Sequence, residues 1–395
     1  MKRLIGLTAA LCLLAIMVGC GGTTGTGTLA YVSNSTGTGF TVFNVNTDGT
    51  LTRANISPQN TPTPTGSGPK VLQFSPNGKW AFYLDANGEN IYAYTRAGNG
   101  TLATQIGVYP VNGASSLVVS SNSNFIYVAL PSTLKLAVFN IDQSTGILTQ
   151  VGSDMLVGYD IEQLVLSPGG SVLFGLSRET AAVLSFTLTA STGVATLTNT
   201  MPVDATVNNP VGATTQKSPN YLVLSANGSY AYVLGQFVFN PASPGTNIFG
   251  FTVGSGGALT AMPDSPFTEN PDTTVTPNIY PTYPTGGVTT SDNRFLFVAN
   301  NGTKNISAFK ISTTSPGELS EVIGSNASPF ACQCSPTFVR LAASNDALFV
   351  LDPGTVAAPA GKIYQFQIDQ NTGKIRAQNP ASVSTEGTPT WITIR

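Results

Sequence analysis

One short turn motif, a glycine followed two residues later by a leucine or a similar residue, recurs in seven spaced turns of this 395-residue chain. A glycine accepts the positive φ angle that a tight hairpin turn requires. Seven copies at intervals of about 45 to 65 residues indicate repeated units that each need the same hairpin. The copies are NTDGTL (46–51), NGTL (99–102), TGIL (145–148), TGVA (192–195), GGAL (256–259), PGEL (316–319) and TGKI (372–375).

A second turn recurs upstream of most copies and is followed by a strand rich in aromatic residues. It reads SPNG at 75–78 and precedes WAFYL, and the variant SANG at 225–228 precedes YAYVL. Alternating aromatic and β-branched residues between turn formers predict β-hairpins. Each unit therefore parses as four strands joined by tight turns. The remaining variants are SSNS (120–123), SPGG (167–170), TSDN (290–293) and AASN (342–345).

Seven units of four strands predict an all-β fold, a seven-bladed β-propeller of antiparallel blades that occupies residues 29–395 as one domain. The first unit begins with what is a second strand elsewhere, LAYVSN (29–34). The missing first strand occurs at the other end of the chain, where TPTWITIR (388–395) matches SPNYLVLS (218–225). We therefore expect the C-terminal strand to complete the first blade beside Tyr31 and to close the ring.

The N-terminus predicts export. Residues 1–20 begin with Lys2 and Arg3 and continue with an apolar run, 4–18, that is shorter than the roughly 20 residues of a membrane span. MVGC (17–20) resembles the lipobox of bacterial lipoproteins. That resemblance implies a lipid on Cys20, a flexible tether at 21–28 and a place in the cell envelope, with the lipid as the sole membrane contact. A plain secretory signal and an uncleaved anchor helix are the alternatives.

The two remaining cysteines outside this segment, Cys332 and Cys334, form a C-x-C pair. In an exported protein such a pair forms either a local disulfide that stiffens a loop or two free thiols. A metal site would need further ligands, and neither a histidine nor a Cys-x-x-Cys pair stands nearby. We therefore predict no metal and no cofactor.

The chain contains no histidine, and this absence limits its chemistry more than any motif does. It removes the usual general base near neutral pH and every Ser-His or Cys-His nucleophile pair. The formal net charge of −2 also predicts no nucleic-acid partner.

Two stretches resemble the signature of seven-bladed lactonase-type propellers: YVSN (31–34) and FVANNGTKNISAF (297–309). That group includes the 6-phosphogluconolactonase-like proteins and the YVTN repeats of surface proteins. The resemblance implies a site in the central channel, and in the enzyme-like relatives one inner strand resembles GPRHxxF. Here the stretch is GPKVLQF (68–74), so Lys70 replaces the arginine and Val71 the histidine. The equivalent residues of the other units are Ser116, Gln163, Tyr221, Gly286, Phe338 and Trp391, and none is an imidazole base.

Three charged residues fall on the predicted inner strands and are the catalytic candidates. Glu162 could act as a base toward water, while Lys70 and Arg340 hold an anionic group or an oxyanion. The alternative is that these charges pair with one another or with channel water and catalyse nothing. Further binding candidates are Gln73 and Gln163 beside them and Arg178 after a second strand.

Two long insertions, 199–218 and 262–282, run from a fourth strand toward the next inner strand and so reach the same face of the disk. Binding residues are common on loops that a rigid scaffold positions. Tyr280 and Tyr283 are therefore candidate contacts, unless the insertions are solvated spacers.

Three functions remain open from the sequence. The first is an exported, envelope-anchored monomer that binds a small molecule, a glycan or an envelope protein on its loop-rich face. The second is a 6-phosphogluconolactonase-like lactone hydrolase that uses a carboxylate base. The third is a structural module of the cell surface.

Overall fold

The computed structural model describes residues 27–36, 39–61, 68–203, 217–237, 246–268, 281–323, 328–354 and 361–395. The predicted signal segment with Cys20, nearly all of the tether and the central parts of both long insertions lie outside these ranges.

The regular secondary structure of the described residues is almost entirely β-strand. In the first half these are β1 (Leu29–Asn34), β2 (Gly39–Val45), β3 (Leu51–Arg53), β4 (Gln59–Asn60), β5 (Pro69–Phe74), β6 (Trp80–Asp85), β7 (Asn90–Arg96), β8 (Leu102–Pro110), β9 (Ser116–Val119), β10 (Phe125–Leu130), β11 (Lys135–Ile141), β12 (Leu148–Gln150), β13 (Met155–Leu156), β14 (Ile161–Leu166), β15 (Val172–Ser177), β16 (Ala182–Leu188) and β17 (Ala195–Pro202).

The second half continues the pattern, with β18 (Lys217–Leu224), β19 (Tyr230–Phe237), β20 (Thr246–Val253), β21 (Leu259–Ala261), β22 (Phe267–Thr268), β23 (Pro284–Thr289), β24 (Phe295–Asn300), β25 (Asn305–Ile311), β26 (Leu319–Glu321), β27 (Phe330–Ala331), β28 (Phe338–Leu341), β29 (Ala347–Asp352), β30 (Lys362–Ile368), β31 (Ile375–Ser384) and β32 (Pro389–Ile394). Two single-turn 3-10 helices, Pro131–Thr133 and Ser255–Gly257, lie in connections.

The strands form seven antiparallel sheets, which confirms the predicted seven-bladed propeller. In four blades a short extra strand, β4, β13, β22 or β27, pairs with the third strand and so continues the outer edge. From the axis outward the blades are β32-β1-β2-β3, β5-β6-β7-β8, β9-β10-β11-β12, β14-β15-β16-β17, β18-β19-β20-β21, β23-β24-β25-β26 and β28-β29-β30-β31.

The ring is closed by the C-terminal strand, as predicted. β32 pairs antiparallel with β1, and Tyr31 is opposite Thr393. Leu29 and Arg395 exchange two backbone hydrogen bonds, of 2.7 and 2.8 Å. Both ends of the described domain are thus held in one sheet, and β1 presents no free inner edge.

The core lies between the blades rather than inside one central body. Among the described residues, the buried apolar side chains form seven clusters, and each cluster joins two neighbouring blades. The second strands are its centre: β1, β6, β10, β15 and β24 are buried along their whole length. A single blade therefore cannot bury its own apolar faces.

The repeated glycine turn connects the third and fourth strands of each blade, and its glycine has a positive φ in every copy. A Cβ on Gly100 would lie 2.4 Å from Leu29 Cδ1, and one on Gly193 would lie 2.4 Å from Phe125 Cδ1. The glycine is thus required both by its φ and by the space that it leaves for a neighbour. The seven contacts are Gly49 on Ala347, Gly100 on Leu29, Gly146 on Trp80, Gly193 on Phe125, Gly257 on Val172, Gly317 on Tyr230 and Gly373 on Phe295.

Each of these contacts reaches the first residues of the second strand in the preceding blade, and the set runs once around the ring. Two turns add a hydrogen bond at the same place, since Tyr31 donates to the carbonyl of Gly100 at 2.6 Å and Tyr232 to that of Gly317 at 2.8 Å. We call the face that carries these turns and the turns between first and second strands the turn face. The opposite face, with the connections between blades, is the loop face.

Three glycine-to-alanine variants separate the cost of φ from the cost of space. Gly193→Ala should lower the free energy of unfolding by about 3 kcal/mol or more, because a strained φ of +73° is combined with a clash against Phe125. Gly152→Ala keeps only the φ penalty, about 1–2 kcal/mol, because nothing lies within 4 Å of its Cβ. Gly169→Ala has neither a positive φ nor a clash and should change the free energy of unfolding by no more than about 0.5 kcal/mol. Chemical denaturation measures all three, and equal losses for Gly193→Ala and Gly152→Ala would contradict the packing role.

Candidate functional site

The first strands of the seven blades contact one another in a closed ring and form the wall of a central channel. Their register is the same in every blade: the residues equivalent to Val71 all pair with the corresponding position of the second strand. Positions compared in the sequence therefore lie at one level of the channel.

Side chains satisfy part of the open backbone edge that each first strand presents to its neighbour. Thr393 donates to the carbonyl of Leu72 at 2.7 Å. Gln163 makes two such bonds, because it donates to the carbonyl of Leu222 at 3.0 Å and accepts from the N–H of Leu222 at 2.7 Å. Gln163, a predicted ligand contact, thus links blades 4 and 5.

A cavity of about 540 Å³ occupies the channel. Its lining comes from the first strands of all seven blades and from the turns that follow four of them, at Pro168, Ala226, Ser291 and Asn345. Three of the predicted site residues, Gln73, Gln163 and Arg340, are in this lining, and Arg340 is its one charged residue.

The other side chains at the level of Arg340 in the channel are mostly short and apolar. No hydrogen bond or ion pair joins its guanidinium to another described residue. The side chain reaches channel solvent. The surrounding blades nevertheless withdraw it from bulk water, which lowers the pKa of Arg340, while Tyr221 acts in the opposite sense. The other residues at this level are Gln73, Val118, Val165, Val223, Val288 and Thr393.

Aromatic rings gather at the level of Val71, closer to the loop face. The Phe338 ring centroid is 4.5 Å from that of Trp391 and 6.1 Å from that of Tyr221. Gly286 lies in the blade between those of Tyr221 and Phe338. It has no side chain and so leaves room for the contact of the two rings. Burial raises the pKa of Tyr221 to about 12, so its hydroxyl is neutral at physiological pH. We call these three side chains the aromatic collar.

Lys70 and Glu162 do not share the cavity with Arg340. Each is the extra residue of a β-bulge near the start of its strand, one position closer to the loop face than the level of Val71. Arg340 lies three positions further along the equivalent strand. The structure therefore places Lys70 and Glu162 at one level of the channel wall and Arg340 at another. Their catalytic role remains a prediction.

The other candidates lie toward the loop face. Arg178, in the connection of β15 to β16, donates to Asn220 Oδ1 at 3.1 Å. Tyr283 precedes β23 with 59% of its surface exposed and a φ of +53°. Tyr280 falls outside the described residues.

Cys332 and Cys334 are joined by a disulfide in the crossover that leads from blade 6 into β28. Two residues further on, the carbonyl of Pro336 accepts hydrogen bonds from Thr285 at 2.8 Å and Asn301 at 3.2 Å. The crossover is therefore fixed where it delivers Phe338 and Arg340 to the channel.

The described ranges contain no helix with the length and hydrophobicity of a membrane span. They also contain no group of three or more His, Cys, Asp or Glu side chains placed to hold a metal ion.

Replacement of the two glutamines of the cavity by leucine should have different effects on the stability of the protein. Gln163→Leu should lower the free energy of unfolding by about 1–3 kcal/mol, because both hydrogen bonds to Leu222 are lost. Gln73→Leu is the matched control and should change it by about 0.5 kcal/mol or less, since no hydrogen bond joins the Gln73 side chain to a described residue. Urea denaturation of both variants measures these changes. An unchanged free energy of unfolding for Gln163→Leu would contradict the role of Gln163 in linking blades 4 and 5.

Comparisons with known proteins agree with this architecture. No curated protein sequence matches the chain significantly. Three solved structures share the fold: a proposed 6-phosphogluconolactonase from Bacteroides uniformis (TM-score 0.68, 14% identity, 94% of this chain and 100% of that one), a protein from Lactobacillus plantarum (0.67, 16%, 93% and 99%) and the periplasmic gluconolactonase of Pseudomonas aeruginosa (0.66, 18%, 93% and 98%).

The sequence itself carries the family signal in its first half. Residues 23–211 match the family model described as "Lactonase, 7-bladed beta-propeller". This match covers just under half of the chain, and the seven closed blades agree with the fold that its description names.

Proposed function

We propose that this protein binds a small organic anion in its central cavity and does not hydrolyse lactones. The observation that carries the proposal is Arg340, the one charge in the cavity lining, which no described side chain neutralises.

An oxyanion is the ligand that suits this arginine. A guanidinium presents up to five N–H donors in a planar fork that matches a carboxylate or a phosphate. The apolar walls at its level reduce the competing water, which strengthens a charge-assisted bond. The amide of Gln73, at the same level, is available for a hydroxyl group of the ligand.

Hydrolysis lacks a base at this position. A general base must lie within hydrogen-bond reach of the water that it activates, directly or through one water. The chain has no histidine, and the cavity lining contains no carboxylate. Binding without turnover therefore fits the cavity better than catalysis does.

Lactone hydrolysis is the second candidate, and the position of Glu162 favours it. Its carboxylate is exposed at the loop-face end of the channel wall, and Lys70 has the equivalent bulge position two blades away. The similar structure from Pseudomonas aeruginosa is named a periplasmic gluconolactonase. A lactone panel with wild type and Glu162→Gln tests this candidate, and turnover that the variant loses would replace our proposal.

The proposal also includes export and attachment to the cell envelope through a lipid on Cys20. Its support is the basic and apolar segment 1–18 and the MVGC sequence that ends at Cys20. A propeller attached to the cell envelope would bind its anion outside the cytoplasm. It would act there as a monomer.

Calorimetry on wild type and Arg340 variants measures the binding prediction. Gluconate, 6-phosphogluconate and inorganic phosphate are the anionic probes, and glucono-δ-lactone is the neutral one. Arg340→Gln should weaken binding of the best anion by about 10- to 100-fold, the equivalent of about 1.5–3 kcal/mol for a charge-assisted bond. Arg340→Lys should retain part of the affinity because it keeps the charge.

Lys310→Gln is the matched control, since this exposed lysine lies on the third strand of blade 6, away from the channel. It removes one positive charge and should leave the affinity unchanged. Equal weakening by Arg340→Gln and Lys310→Gln, or binding of the neutral lactone alone, would overturn the proposal.

Fractionation of a bacterial host tests the lipid anchor. Cys20→Ala should move the protein from the membrane fraction to the soluble fraction, because the acceptor of the lipid is gone. Cys12→Ala changes a cysteine inside the apolar segment and should leave the protein with the membrane. A Cys20→Ala protein that stays in the membrane fraction would indicate an anchor helix instead.

A further inference from the structure

The cavity around Arg340 reaches the turn face of the propeller and stops before the loop face. Its lining includes residues of the turns after β14, β18, β23 and β28, which belong to four consecutive blades. Neither bulge residue, Lys70 or Glu162, belongs to the lining. The open end of the site is therefore on the face opposite to the long insertions.

The aromatic collar stands at the other end of the cavity. Phe338 contacts both partner rings and is 4% exposed, so the three rings form a packed group across three blades. Trp391 is held further by a 2.9 Å hydrogen bond from Nε1 to Thr393 Oγ1. On the opposite wall Gln163 is fixed to Leu222 by two hydrogen bonds.

Hydrogen bonds join two neighbouring turns at the turn-face rim of the cavity. Asn345 of blade 7 donates to Ser291 Oγ of blade 6 at 2.6 Å and accepts from the N–H of Ser291 at 3.1 Å. Ala226 and Ala343 are exposed members of the same lining and carry no polar side chain. An incoming anion meets no acidic side chain in the lining before it reaches Arg340.

We propose that an oxyanion of the carboxylate or phosphate type reaches Arg340 through the turn face, and that the aromatic collar closes the channel toward the loop face. This inference rests on the proposed function for its ligand. It differs from the sequence-based prediction of the loop-rich face as the ligand face, because the cavity with the unneutralised charge opens on the other side.

The route can be tested without a known ligand, because the chain has two tryptophans and one of them is in the cavity lining. A Trp80→Phe background leaves Trp391 as the single fluorophore. Iodide is the anionic quencher and acrylamide the neutral one. In that background Ala226→Cys and Ala343→Cys, labelled with a bulky maleimide, obstruct the turn face, and labelled Tyr283→Cys, at an exposed site, obstructs the loop face.

Labels at Ala226→Cys and Ala343→Cys should remove most of the quenching of Trp391 by both reagents, whereas the label at Tyr283→Cys should leave it unchanged. The background protein treated with the same maleimide controls for native cysteines. Arg340→Gln should reduce quenching by iodide about threefold relative to acrylamide, because the attracting charge is lost. Loss of quenching with the Tyr283→Cys label only, or a Trp391 that neither reagent quenches, would overturn the inference.

The calorimetric panel makes the two possible failures distinguishable. If the quenchers enter through the turn face but no oxyanion binds, the route stands and the proposed function fails. If an oxyanion binds through Arg340 while the loop-face label blocks access, the function stands and the route is wrong. Gluconate against inorganic phosphate in the same panel separates a carboxylate ligand from a phosphate one.

Discussion

The contact of each glycine turn with the second strand of the preceding blade is the interaction on which this structure depends. A side chain at the glycine would clash with the neighbouring blade, so the close approach of the two blades depends on the glycine. The apolar clusters have the same property, since every one of them lies between two blades. The stability of the domain therefore depends on the complete ring, and the pairing of β32 with β1 closes that ring.

The closed ring also fixes the level of every residue in the channel. Because all seven first strands have one register, valines from four blades meet Arg340 at one level, and Tyr221, Phe338 and Trp391 meet at another. The chemistry of the cavity follows from this arrangement. The positive charge of Arg340 is surrounded by mostly short, apolar side chains. The packed aromatic rings lie on one side of it and the open rim of the cavity on the other.

The fold could be predicted from the sequence because its signals are local. The glycine turns, the SPNG turns and the displaced first strand at 388–395 each report their role within a few residues. The site could be predicted only in part, because its geometry depends on contacts across the ring. The hydrogen bonds of the Gln163 side chain to the backbone of Leu222 could not be predicted from the sequence. The bulges at Lys70 and Glu162 also carry no mark in the sequence. The absence of a side chain at Gly286 was visible, but the ring contact that it permits needed the fold.

Hydrogen exchange at the seam between the chain ends tests the closed ring most directly. The amides of Leu29 and Arg395, which bond to each other across β1 and β32, should exchange only through global unfolding. Their free energy of opening should then equal that of the β15 and β16 amides on the opposite side of the ring. A seam that opens at a clearly lower free energy than β15 and β16 would show that the blades are stable without closure and would contradict the dependence of the channel on the ring.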